Sequence, residues 1–145
     1  MAMSEKVLDI ADELTQQLVA LLDLPAKRIY RLLTERAKLK DTRLCVFPFS
    51  GTLEPIDREG NEEIHEIAIA MQAPLESLDD VEAINGLVNQ MGSIKALYRE
   101  GGELRDAELA GCPWATLQHA PLWDPKRMLE DKEFLSIIRV GYREL

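Results

Sequence analysis

The sequence predicts an α+β fold: a single mixed or antiparallel sheet of about four strands, with an N-terminal helix and a second long helix packed on it. Three observations predict it. Apolar residues recur at three-to-four spacing over Val7–Leu22 and again over Val81–Leu97. They alternate at period two over Ile64–Met71 and over Phe134–Arg143. The length, 145 residues, suits one domain over 1–145 that can bury most of its apolar surface.

The first helix is read over residues 4–23. Val7, Ala11, Leu14, Leu18 and Leu22, widened by Leu8, Ile10 and Leu21, make one apolar face. Ser4 is its expected cap, and Pro25 follows where a helix cannot continue. Residues 26–42 are basic, and Arg28–Leu32 admits a short edge strand or a helical turn; irregular structure with a short strand is the preferred reading. Arg43–Phe47 is a run of strand formers ended by Pro48. Residues 50–61 contain Gly51, Pro55, Asp57, Gly60 and Asn61 and read as a polar loop.

From Glu62 to Gln72 the chain alternates. His65, Ile67, Ile69 and Met71 share one face; Ile64, Glu66, Ala68 and Ala70 share the other. Ser77-Leu78-Asp79-Asp80 is close to a capping box and opens a helix to about Arg99, stopped by Gly101-Gly102. Its seam is Val81, Ile84, Val88, Met91 and Lys95. Residues 103–132 are the least regular: Trp114–Gln118 admits a strand, and Asp124-Pro125 opens a short turn or helix. The final strand puts Phe134, Ser136, Ile138, Val140 and Tyr142 on one face.

The net charge is −9, so tight binding to a phosphate backbone is not expected. The charge is unevenly placed. Residues 27–43 are basic, whereas residues 50–110 hold four Lys/Arg against fourteen Asp/Glu. Such charge reads either as solvated surface or as a self-complementary pair of patches of the kind a head-to-tail oligomer uses. Cys45 and Cys112 make no disulfide framework, and no run of about 20 apolar residues crosses a membrane. The N-terminus lacks the apolar run of a signal peptide, so a cytosolic origin is expected.

Catalytic signatures are missing from the sequence. There is no phosphate loop, dinucleotide fingerprint or nucleophile elbow. His65 and His119 are the two histidines, and no Cys-x-x-Cys or His-x3-His spacing supplies a zinc ligand set. The expectation is a non-enzyme with no cofactor, metal or catalytic residue. A hidden hydrolase would need groups such as Glu66, His119 and Asp124 to converge. Trp114 and Trp123, in loop-rich sequence, read as core plugs or interface anchors.

The order of motifs resembles a family of small phage neck and tail proteins, the tail terminators and tail-completion (head–tail joining) proteins. The resemblance is carried by the helix Val7–Leu22, the basic Lys27-Arg28-Ile29-Tyr30 and the strand Leu44–Pro48. It continues through the polar loop with Arg58, the strand Ile64–Met71 and the helix from Asp79-Asp80-Val81 to Leu97. Pro121-Leu122-Trp123-Asp124-Pro125 and the terminal Phe134–Arg143 complete it. It implies a ring, usually of six subunits, at the head-proximal end of the tail tube, joining tail-tube and head-connector proteins. The protein would then be part of the virion, made in the host cytoplasm, with DNA passing through without specific binding. An acidic lumen suits that passage, and the segment 50–66, with Glu54, Asp57, Glu59, Glu62, Glu63 and Glu66, is the expected lumen or subunit-contact loop. The candidate inter-subunit or lumen residues are Arg28, Tyr30, Arg31, Arg58, Glu59, Glu62, Glu63, Trp114 and Trp123. The same charge pattern also suits a small cytosolic protein-binding module unrelated to phage assembly.

Overall fold

The computed structural model describes residues 5–23, 25–30, 39–55, 61–120 and 123–144, with backbone only at 50–55 and 61. The chain order is α1 (Lys6–Leu22), β1 (Ala26–Arg28), β2 (Arg43–Pro55), β3 (Asn61–Pro74), α2 (Val81–Ala96), β4 (Glu108–Leu109), β5 (Cys112–His119), α3 (Pro125–Asp131) and β6 (Glu133–Glu144). The six strands lie in the order β1-β2-β3-β6-β5-β4. β1 runs parallel to β2, and the other neighbours are antiparallel. The sheet curls into a half-barrel.

This overturns the expectation of about four strands carrying two helices: the described residues form six strands and three helices. The additions are short. β1 has three residues and falls just before the short strand expected near Arg28–Leu32, α3 has seven and takes up the turn or helix expected at Asp124-Pro125, and β4 has two; none is long enough to show a hydrophobic period. Tertiary pairing makes β1 a strand, through Ala26↔Leu44 to Arg28↔Val46. In α3, Pro125 takes the first turn, where its missing N–H is harmless, and the Asp124 carboxylate accepts from the Lys126 and Arg127 amides.

β2 also outruns the expected boundary. It passes Pro48 to Pro55, with a register shift between Pro48 and Ser50. The Ile29 amide donates to Val46 O on the β1 side. By alternation Pro48 faces that same side, beyond the last β1 pair, so no ladder bond to β1 is lost. Residues 50–55, read as loop, are therefore strand, paired to β3 as far as Pro55↔Asn61. Ser4 lies outside the described residues, and the residue preceding α1, Glu5, makes no side-chain cap.

One apolar core joins α1, α2 and one face of the sheet. Ile10, Leu14 and Leu18 of α1 meet Ile67, Ile69 and Met71 of β3, Phe134, Ile138, Val140 and Tyr142 of β6, and Met91 and Ile94 of α2. These strand residues are the faces that the alternation predicts. The α2 seam is buried only in its second half, and Val81 is exposed. On the opposite face of the sheet, Gln72 Nε2 donates to Glu133 Oε1 at 2.7 Å and Arg127 lies 3.0 Å from the same oxygen. Glu133 is buried, so this shared carboxylate ties α3 to β3 and β6 with its charge compensated.

Candidate functional site

Several predicted contact residues turn out to be held within the subunit. Arg28 Nε lies 3.1 Å from Asp12 Oδ1, and its guanidinium sits 4.5 Å from the centre of the Tyr30 ring. Tyr30 is exposed. Glu62 pairs with Arg143 on the face of the sheet away from α1 and α2. Trp123 is exposed at the entry to α3. Arg31, Arg58 and Glu59 lie outside the described residues. Of the described basic segment, Lys27, Lys40 and Arg43 line a cavity of about 450 Å³ with Asp41, beside Pro25 and Leu44.

Trp114 occupies a built position. It pairs with Tyr142 across the β5–β6 ladder just before a register shift, which turns Thr116 to the opposite face. Its indole N–H donates to Thr116 O at 2.8 Å. Its ring centroid is 5.5 Å from that of Tyr98, and the Arg105 guanidinium lies 5.6 Å from it. Lys95, Arg99 and Arg105 join Trp114 along an open groove of about 460 Å³ between the end of α2 and β5. These are three of the four cations within residues 50–110. Among the described residues none is salt-bridged to a carboxylate; Glu100, Glu103 and Asp106 stand exposed on the same turns without lining the groove.

At the other end of α2, Glu76, Asp79, Asp80 and Glu82 are all exposed, with Val81 among them. Only Asp80 has a structural task, accepting from the Ala83 amide at 3.1 Å. The cationic groove at one end of α2 is thus aromatic-lined, and the other end of the same helix is acidic and exposed.

A third constellation lies at the far end of the β3–β6 ladder. Glu63 stands directly opposite Glu144, and His65 opposite Tyr142, all on the core face. His65 is 1% exposed. Its Nε2 lies 3.0 Å from Glu144 Oε1. Its Nδ1 lies 3.8 Å from Glu63 Oε1 and has no hydrogen-bond partner. Glu63-x-His65 on an alternating strand is visible in the sequence, but Glu144, 79 residues after His65, joins them only through register.

Glu66, His119 and Asp124 do not converge. Glu66 pairs with Gly141 and His119 with Ile138, positions of opposite parity on β6, so they point to opposite faces of the sheet. Asp124 is spent on capping α3. His119 Nε2 lies 2.7 Å from Ser136 Oγ. Burial, with the nearby Lys95 ammonium, lowers its pKa from 6.5 to about 4, so it is neutral near pH 7. Burial raises both thiols above their ordinary value, and Glu144 adds to the effect at Cys112. Thiols kept protonated are poor nucleophiles.

No helix among the described residues is long and apolar enough to cross a membrane. Neither the family models nor the curated proteins with which the chain was compared yield a match.

Proposed function

We propose that this chain is a structural subunit that assembles head-to-tail into a ring, of the phage tail-terminator or tail-completion class, and that it is not an enzyme. The observation that carries the assembly is the placement of charge at the two ends of α2. A head-to-tail contact needs two different, complementary patches on one subunit. The groove of Lys95, Arg99, Arg105 and Trp114 is one; the exposed Glu76, Asp79 and Glu82 with Val81 are the other. The helix between them has 16 residues, about 24 Å at 1.5 Å per residue, so a single subunit cannot close the pair on itself. Trp114 supplies the kind of aromatic anchor on which interfaces depend, and the cations around it steer the acidic end in.

The phage assignment rests on the order of sequence motifs described above. In that role the ring, of six subunits, sits at the head-proximal end of the tail tube and meets tail-tube and head-connector proteins. A net charge of −9 keeps the ring from gripping the DNA that passes through it. Arg28 and Glu62, engaged by Asp12 and Arg143 within the subunit, are poorer contact residues than the groove cations.

Size exclusion with light scattering, followed by negative-stain imaging, tests the reading. A closed ring of uniform copy number is the expected result. A monomer at all concentrations and salt levels would contradict it.

A further inference from the structure

We propose that Glu63, His65 and Glu144 form a divalent-cation site at the end of the β3–β6 ladder. In it His65 Nδ1 and Glu63 bind the ion, Glu144 orients the imidazole, and solvent completes the coordination.

The argument begins with an electrostatic conflict. Glu63 and Glu144 are directly opposite on one face of neighbouring strands, an arrangement that repels. Arg143, the nearest cation in sequence, points to the other face and is taken by Glu62, and Lys6 of α1, which lines a pocket with Glu144, is within ion-pair distance of neither carboxylate. Between the two carboxylates stands His65, almost fully buried. When its Nε2–H donates to Glu144 at 3.0 Å, the Nδ1 lone pair is left facing the Glu63 carboxylate across 3.8 Å. Two acceptors then confront each other with no hydrogen-bond donor between them. A cation is the missing element.

The gap favours a metal ion over a proton. A shared proton would draw N and O to about 2.7–3.2 Å. Two ligands of one tetrahedral ion, at roughly 2.0–2.2 Å each, stand about 3.4 Å apart. The observed gap needs only a few tenths of an ångström of closure by the Glu63 side chain. One donor atom from each of the three residues can be chosen with all of them within 4.8 Å of one another. Both carboxylates are 34% exposed, so an ion and its waters can enter. A carboxylate on the far nitrogen is also how metal-binding histidines are commonly held. Mixed imidazole and carboxylate donors suit a first-row divalent ion such as Zn²⁺ or Mn²⁺.

The test is calorimetric titration of the full chain with Zn²⁺ and, separately, Mn²⁺. The parent is expected to bind one ion per chain, and substoichiometric Mn²⁺ should broaden the His65 imidazole resonances more strongly than those of His119. His65→Gln should abolish binding. Glu63→Gln and Glu144→Gln, at part-exposed positions that tolerate change, should each weaken it tenfold or more. They decide the matter even if His65→Gln does not fold. His119→Gln should bind as the parent does. A parent that takes up neither ion, a Glu63→Gln variant that binds like the parent, or loss of binding in His119→Gln would each overturn the site.

Discussion

The hydroxyls of Tyr98 and Tyr142 meet at 2.7 Å inside the core, joining the turn after α2 to the final strand. Both residues are buried, and burial raises both pKa values above the ordinary tyrosine range. Each hydroxyl satisfies the other. Tyr142→Phe should therefore destabilise by about 1–3 kcal/mol, because the Tyr98 hydroxyl is left buried and unpaired. Adding Tyr98→Phe should cost less than the sum of the two single changes, since the double variant strands no polar group. Urea unfolding of the three variants checks this; strict additivity would mean that the hydroxyls are not coupled.

Two glycines should respond in opposite directions to alanine. Gly86 lies within α2, and a Cβ there would meet nothing within 4 Å. Gly86→Ala should stabilise by roughly 0.5–1 kcal/mol through helix propensity and a less flexible unfolded chain. At Gly102 a Cβ would fall 2.3 Å from the Leu97 carbonyl oxygen. Backbone cannot yield as a side-chain tip can, so Gly102→Ala should destabilise by about 1–3 kcal/mol. Thermal melts of the pair suffice.

His119 sets a pH dependence with a definite sign. Its folded pKa, about 4, lies below the 6.5 of the ordinary group, because burial and Lys95 disfavour the imidazolium. Between these values the unfolded chain binds more protons than the folded one. The contribution to stability is thus fully present above about pH 6.5 and is lost as pH falls towards 4. His119→Gln should flatten the stability curve across that window. Lys95→Met should move the His119 midpoint, read from its imidazole NMR resonances, towards 6.5. A parent midpoint already near 6.5 would contradict the account.

Much of the frame is legible in the sequence wherever a period is long enough to read. His65 to Met71 and Phe134 to Tyr142 place their largest apolar residues on the face that packs on α1 and α2, although Ala68, Ala70 and Leu135 on the other face are buried too. α1 and the second half of α2 follow for the same reason. What is not legible depends on pairing. Ala26–Arg28 becomes a strand only because β2 lies beside it, and Glu108–Leu109 only because Cys112–Pro113 does. Pro48 reads as a stop, yet the strand continues because its nitrogen faces beyond the β1 pairs. The candidate sites are harder still. Lys95, Arg105 and Trp114 form a groove through the turn after α2, and Glu144 reaches His65 through a register that no local pattern specifies.

Head-to-tail assembly is tested most directly by mixing two charge-reversed variants. In one, Arg99→Glu and Arg105→Glu reverse the groove; in the other, Asp79→Lys and Glu82→Lys reverse the acidic end of α2, leaving the cap Asp80 intact. Each alone opposes like charge to like at every contact and should need at least about tenfold more protein to assemble, a loss of about 1.4 kcal/mol per contact. Mixed in equal amounts, the two present matched patches in alternation. Light scattering should then show the ring mass of the parent restored. If each variant assembles alone as the parent does, or if the mixture recovers nothing while both remain folded, the two ends of α2 are not the contact and the central claim fails.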